Sequence, residues 1–251
     1  MMIQDLERYD KQMRFAGLGR AGQARLAAAS VLVCGAGGLG GGLSQLLVRA
    51  GVGRVRVVDR DRVELTNLHR QLLYDEGDLG RPKAAAAAAR LAAMNRAVAV
   101  EGLEAEVNAA TIAELCAGVD LVLDGMDNLA ARYVINDAAV GLGLPWVMAG
   151  CVAAHGNVML IEPGRTPCLR CLFPEPPAEG SFPTSDSAGI LGPTAAAVAA
   201  IAALEALKWL AGARAAVNQG MLYLNLWDGS FNLVRMGQGP HPGCICNPAK
   251  T

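Results

Sequence analysis

Three groups of residues in this chain could do chemistry. Gly35, Gly37 and Gly40 stand in G-x-G-x-x-G spacing, where missing side chains let the backbone and the following helix N-terminus approach a phosphate. Asp59 closes the next apolar run, where a carboxylate can bind ribose hydroxyls. A dense polar segment follows from Asp59 and Asp61 through Asn67, Arg70 and Gln71, for which a hydride-transfer enzyme has no evident use. Further on come Gly80-Arg81-Pro82-Lys83 and Asp124-Gly125-Met126-Asp127-Asn128. The third group is sulfur: Cys168 and Cys171 form a C-x-x-C pair, and Cys244 and Cys246 a C-x-C pair.

These residues need elements to hold them. Residues 31–34 are a short apolar run leading into the glycines, and the stretch through Leu43, Leu46 and Leu47 to Ala50 is helical, so the order is strand, glycine turn, helix. Further strands are expected at 54–58, 97–103, 119–123 and 146–149, with an alanine-rich helix at 83–94. Alternation of this kind predicts a mainly parallel sheet covered on both faces, a Rossmann-like α/β fold. Its strand ends are where such sheets bind ligands, and Asp124 to Asn128 lie at one of them. After Cys151 the pattern changes to a strand at 157–161, a Pro-rich loop at 174–183, a helix at 190–210, and strands at 221–227 and 231–236 flanking Asp228-Gly229-Ser230 as a hairpin. The expected architecture is one domain over 1–251, with a nucleotide half at 1–150 and a second half at 151–251.

Composition sets bounds on partners. With 251 residues, 53% hydrophobic and 18% charged, the chain can bury a substantial core. A net charge of -1 gives no general attraction to nucleic acid or an anionic membrane, so an anionic ligand must be met by a local cluster. The first fourteen residues carry charges throughout and lack a signal-like apolar stretch, so a cytoplasmic protein is expected. The apolar run at 194–204 is about half the length of a membrane span and reads as a buried helix.

Seven cysteines are an odd number, and in a cytoplasmic chain close pairs suggest metal or redox chemistry before structural disulfides. Four thiolates would make a closed structural zinc site; free or disulfide-forming thiols are the alternative. Cys34, Cys116 and Cys151 sit in apolar stretches and read as small core residues.

Taken in order, the segments Arg8-Tyr9-Asp10-Lys11-Gln12, the glycine loop, Asp59-x-Asp61, Asn67-Leu68-x-Arg70-Gln71, Arg81-Pro82-Lys83 and Asp124 to Asn128 resemble the MoeB/ThiF/HesA family, bacterial relatives of ubiquitin-activating enzymes. The resemblance implies ATP-dependent adenylation of the C-terminal carboxylate of a small ubiquitin-like sulfur carrier ending in Gly-Gly, as in thiamine or molybdopterin synthesis. It implies a nucleotide held on Gly35, Gly37, Gly38 and Gly40 with Asp59 at the ribose and Asp61, Gln71 and Asn128 beside it. Asn67, Arg70 and Lys83 would contact and neutralise the triphosphate, and Asp127 would position Mg²⁺. It places structural Zn²⁺ on Cys168, Cys171, Cys244 and Cys246. It also implies a homodimer in which a basic residue of the first segment reaches the partner's ATP; here that residue is Lys11, with a solvated surface lysine as the alternative. Two further departures stand out. The second cysteine pair has one spacer residue instead of two, and Ser185 occupies the place where some members carry an acceptor cysteine. A nicotinamide-dependent oxidoreductase, a non-catalytic nucleotide-binding scaffold and a tRNA-modifying relative are the competing readings. Near-neutral charge disfavours the last.

Overall fold

The computed structural model describes residues 7–247 apart from 179 and 238. Eight strands form one sheet: β1 (Ser30–Cys34), β2 (Arg54–Val58), β3 (Ala99–Leu103), β4 (Leu121–Asp124), β5 (Trp146–Val152), β6 (His155–Ile161), β7 (Met221–Asn225) and β8 (Ser230–Val234), in the order β3-β2-β1-β4-β5-β6-β7-β8. The first five are parallel and the last three run antiparallel. The helices among the described residues are α1 (Asp10–Arg14), α2 (Gly19–Ala28), α3 (Gly38–Ala50), α4 (Lys83–Met94), α5 (Ile112–Leu115), α6 (Leu129–Leu142), α7 (Leu169–Leu172), α8 (Ser185–Ala188) and α9 (Gly192–Leu210). This is the Rossmann-like α/β fold expected, extended by a long helix and a hairpin.

Burial explains the unbroken apolar runs of the central strands. Along β1, Val31 and Val33 pack into one core and Leu32 and Cys34 into the other, so both faces are covered and each side chain finds an apolar environment. Each such aliphatic side chain contributes about 1.5–3 kcal/mol on leaving water. The first core lies under α3, α4 and α9; the second lies under α5, α6 and the four paired cysteines. The alanines of α4 earn their place by size. A Cβ on Gly102 of β3 would come within 2.3 Å of the Ala84 carbonyl oxygen, so helix and strand meet almost backbone to backbone.

α9 is long and apolar enough by composition to cross a membrane, but half of it is buried in the fold. It lies across α3 and the β5–β6 pair. A Cβ at Gly42 of α3 would stand 2.8 Å from Ala199 Cβ, and one at Gly156 of β6 would stand 2.2 Å from Val198. Its Glu205 is buried and accepts from Lys208, from the Asn218 backbone N–H at 2.9 Å and from the Asn218 side chain at 3.0 Å. A buried, fully bonded carboxylate belongs in a protein core.

Several strand limits differ from those read in the sequence, and the hairpin shows why. β7 stops at Asn225, whose side-chain oxygen accepts from the backbone N–H of Trp227 at 3.2 Å and of Asp228 at 3.4 Å. That local turn takes the donors away from the ladder, so Trp227 lies outside the strand. β5 and β6, in contrast, pair out to Val152 and His155, beyond the 146–149 and 157–161 limits that apolar content suggests.

The tightest point of the fold is the first turn of α3, where a Cβ at Gly40 would lie 1.8 Å from the Gly35 carbonyl oxygen. Gly40→Ala is expected to cost about 3 kcal/mol or more, or to abolish soluble protein. Gly141→Ala, in open space on α6, is expected to add about 0.5–1 kcal/mol. Urea unfolding of both variants checks the pair.

Candidate active site

The glycine turn, the end of β2 and the end of β4 meet at the carboxyl ends of the central strands. Gly35 has φ of +89°, and a Cβ there would stand 2.7 Å from the Gly125 carbonyl oxygen. The turn after β1 and the turn after β4 are therefore in backbone contact, which brings Asp127 beside the glycine loop. Gly37 and Gly38 face the polar segment: Cβ atoms on them would meet Gln71 Nε2 at 3.6 Å and the Arg70 carbonyl oxygen at 3.3 Å. Asp59 fixes the loop from the other side. Its Oδ2 accepts from the Ala36 N–H at 2.7 Å and its Oδ1 from the Asp61 N–H at 2.8 Å. Burial pushes the Asp59 carboxyl up from its ordinary range, and these two N–H groups and Lys83 pull it back.

Lys83 is nearly buried, with its Nζ 3.3 Å from Asp61 Oδ2. Asn67 and Gln71 are also buried. The Asn67 oxygen accepts from the Glu64 N–H at 3.2 Å, whereas the buried Gln71 Oε1 has no hydrogen-bond partner among the described residues. An orphaned acceptor beside an open glycine turn suits a ligand that brings its own donors, as a nucleotide does. Arg70 donates to the Thr66 carbonyl at 2.9 Å and lines a cleft of about 360 Å³ with Glu64, Thr66, Ser185, Asp186 and Ile190.

Two residues sit differently from a simple ligand role. Asn128 caps α6, its side-chain oxygen accepting from the Ala131 N–H at 2.8 Å, and its amide reaches Asp127 Oδ1 at 3.3 Å. Asp127 itself is exposed, and among the described residues its second oxygen has no partner to displace. Lys11 is on α1, its side chain 87% exposed with Asp10 as its charged neighbour. Tyr9 and Gln12 pin that helix to the far end of α3: Gln12 donates to the Ala50 carbonyl at 2.9 Å, and the Tyr9 ring fills the space where a Cβ on Gly51 would be. A helix of 13 residues is about 20 Å long, so Lys11 lies out of reach of its own chain's glycine turn.

Structure also adds residues that spacing alone did not single out. The Tyr74 hydroxyl lies 2.9 Å from the Ala36 carbonyl oxygen and 3.2 Å from that of Lys83, tying the glycine turn to the start of α4. Asp124 is fully buried. Arg132 Nε meets its Oδ2 at 2.8 Å, while Arg132 Nη2 donates to the carbonyls of Met126 at 2.8 Å and Ala149 at 3.0 Å. A Cβ at Gly150 would come within 3.1 Å of this guanidinium, so the glycine lets it lie against β5. A signal for Arg132 existed: a cation in the first turn of a helix opposes the dipole and calls for an anionic partner.

The four sulfurs of Cys168, Cys171, Cys244 and Cys246 lie within 4.8 Å of one another, with 3.5 Å from Cys168 to Cys244 and 3.4 Å from Cys171 to Cys246. A tetrahedron with metal–sulfur bonds of about 2.3 Å has edges of about 3.8 Å, so the donor set and its spacing fit zinc. The C-x-C pair reaches this geometry as readily as C-x-x-C because residues 244–246 lie in a turn. The His241 backbone N–H points at Cys171 Sγ at 3.3 Å, as a donor to a metal-bound thiolate would. None of the seven cysteines is in a disulfide, and burial pushes the Cys151 thiol up to about 11.

The ThiF family model matches residues 9–246, which takes in every one of these features. The chain belongs to the ThiF family. Among relatives, it is 42% identical to a sulfur carrier protein adenylyltransferase of Thermus thermophilus, over 98% of this chain and 93% of that protein. It is 41% identical to the sulfur carrier protein ThiS adenylyltransferase of Bacillus subtilis, over 94% of this chain and 70% of that one. The crystal structure of E. coli MccB with MccA-N7isoASN superposes with a TM-score of 0.84 at 22% identity, covering 96% of this chain and 74% of MccB, and so shares the architecture. ThiF-family membership displaces the nicotinamide reading, which rested on the glycine turn and Asp59 alone.

Within this ThiF-family site, Arg132→Ala leaves the buried Asp124 carboxylate with the Met126 and Ala149 N–H groups but no cation, at an expected cost of about 3–5 kcal/mol in urea unfolding. Stripped of its cation, that carboxyl takes up a proton more readily folded than unfolded. The deficit against wild type should therefore shrink as pH is lowered from about 8 to about 5.

Proposed function

We propose that this protein uses ATP to adenylate the C-terminal glycine carboxylate of a small ubiquitin-like sulfur carrier. The observation that carries the reading is the meeting, at the carboxyl ends of the central strands, of an anion-accepting glycine turn, the buried Lys83 and the orphaned Gln71 acceptor, beside a cleft walled by Arg70. Family membership supplies the use of ATP, and the names of the Thermus and Bacillus relatives supply the carrier class.

In this reading the ribose rests near Asp59, and the triphosphate lies along the glycine turn within reach of Lys83, Arg70 and Asn67. The carrier tail enters by the cleft. A carboxylate oxygen attacks the α-phosphorus, the new O–P bond forms as the α–β bridging bond breaks, and pyrophosphate leaves with its electron pair. Two anions approach each other in this step, so the protein's share is neutralisation and alignment. Lys83 is pre-placed: its link to Asp61 keeps the charge at the site until a phosphate oxygen competes for it. Mg²⁺, when bound, offsets charge on the phosphates, and Asp127 is the carboxylate that would hold it. Zn²⁺ on the four cysteines is structural and closes the tail onto α7.

Three further parts belong to the proposal. The exposed Trp227, Phe231 and Leu233 on the hairpin form the carrier's docking face. Lys11 serves the site of a second copy in a homodimer, since its own is out of reach. The enzyme works in the cytoplasm, where its carrier and ATP are.

Carrier-dependent ATP/pyrophosphate exchange tests the reaction directly. Asp127→Ala should lower the exchange rate by a factor of about 100 or more without loss of fold, and a rate within about twofold of wild type would remove Asp127 from the mechanism.

Ser185 gives a second test. Ser185 shares the cleft with His69, but among the described residues its hydroxyl is bonded to no base; an unactivated serine hydroxyl is a poor nucleophile, and Asp186 beside it disfavours an alkoxide. Denaturing mass spectrometry of enzyme, Mg-ATP and a ThiS-type carrier should show adenylated carrier and unmodified enzyme. Carrier-linked enzyme that vanishes in Ser185→Ala would show the opposite.

A further inference from the structure

Arg170 sits between the two thiols of the first cysteine pair and points away from them. Its Nε and Nη2 meet the two carboxylate oxygens of Asp137 on α6 at 2.7 and 2.8 Å, and its Nη1 donates to the Pro174 carbonyl at 2.9 Å. The guanidinium lies over the Tyr133 ring at 4.9 Å. Tyr133 in turn places its hydroxyl 2.8 Å from the Phe173 carbonyl oxygen and 3.0 Å from that of Glu175. Three successive carbonyls, at the start of the segment that crosses toward the cleft, are thus held by two side chains stacked on α6.

The far end of that segment returns to the same anchor. The Phe173 and Phe182 rings meet edge to face at 6.0 Å. Two residues later Thr184 caps α8, its hydroxyl accepting from the Ser187 N–H at 3.2 Å, and α8 carries Ser185 and Asp186 into the cleft opposite Arg70. Beyond α8 the chain is stapled to the β5–β6 turn: the Ala153 N–H donates to the Gly189 carbonyl at 2.8 Å, and the Leu191 N–H to the Ala153 carbonyl at 3.2 Å. Ala153 holds φ of +52°, a left-handed conformation costly for a non-glycine residue, so surrounding contacts enforce this staple.

We propose that Arg170 is a positioning residue that links the four-cysteine clamp to the α8 wall of the cleft and so sets how tightly the cleft takes the carrier's glycine tail. This rests on the adenylation reading. Cys168 and Cys171 fix the backbone on either side of Arg170, and the planar fork, gripping Asp137 with two nitrogens and Pro174 with the third, passes that placement on. A lysine would keep the charge and lose the fork.

Arg170→Ala, Arg170→Lys and Phe182→Ala chains would be compared with wild type for zinc content, thermolysin cleavage between residues 174 and 183, and exchange with a ThiS-type carrier at varied carrier and ATP concentrations. All should retain about one zinc per chain. In Arg170→Ala, cleavage should quicken and the carrier KM rise by about tenfold, with kcat and the ATP KM within about twofold. Phe182→Ala should raise the carrier KM likewise, and Arg170→Lys should recover only part of the loss. An unchanged carrier KM in Arg170→Ala overturns the proposal. So does loss of zinc in that variant, which would put Arg170 to work on the metal site itself, or a wild-type carrier KM in Phe182→Ala. A wild-type enzyme that shows no exchange, while Arg170→Ala still quickens cleavage, refutes the adenylation reading and leaves the anchoring intact.

Discussion

Three glycines with no room between them set the geometry of this molecule. Gly35, Gly40 and Gly125 touch backbone to backbone: a Cβ on Gly40 would strike Gly35, one on Gly35 would strike Gly125, and one on Gly125 would come 2.7 Å from Gly40 Cα. α3 thus begins directly against the turn that launches it, and the turn after β4 is pressed onto both. The glycine turn and the turn that carries Asp127 become neighbours because nothing wider than hydrogen separates their backbones. Glycine at 35 answers a conformational need as well, its φ being positive.

Around that contact the polar groups are paired in a way that leaves selected capacity for a ligand. The Ala36 peptide is held at its N–H by Asp59 and at its carbonyl by Tyr74, so the glycine turn cannot drift. Arg132 neutralises Asp124 at the base of the next turn, turning a buried charge, costly alone, into a brace. Against this satisfied background the unpaired Gln71 oxygen, the exposed Asp127 and the singly paired Lys83 stand out. Chemistry gathers where the structure has spent its fixed partners and left a few open.

Legibility in the sequence follows the range over which each cause acts. Strand, glycine turn and helix were readable at 31–50 because period and turn chemistry are local, and the fold class followed from their repetition. The four cysteines were readable as a possible metal site because thiol spacing is itself the signal; the structure brings all four sulfurs together, C-x-C included. The role of Tyr74 was not readable, since its partner lies 38 residues away and is a backbone carbonyl that no residue type announces; Arg132 announced only its need for an anion, and not that it would also bind the Ala149 carbonyl. Asn128 was assigned to the nucleotide from its motif, while its observed bond is a helix cap, a role that its place before an apolar helix also encodes. The strand ends moved for the same kind of reason: Asn225 diverts two backbone donors, an effect settled by one side-chain rotamer.

The two halves of the chain are held together by different physics, and this bears on how each can vary. The part up to β5 depends on absent side chains and backbone contacts, which tolerate almost no substitution but ask little of the rest of the sequence. Beyond β5 the crossing segment depends on side chains: the Arg170 fork, the Tyr133 hydroxyl, the Phe173–Phe182 ring pair and the thiol cluster. Such contacts can be exchanged for others of similar shape, so this half can change its loop and hairpin surface without disturbing the glycine contact. The serine on the cleft wall is consistent with that division, because the proposed step at phosphorus needs no thiol from the loop above it.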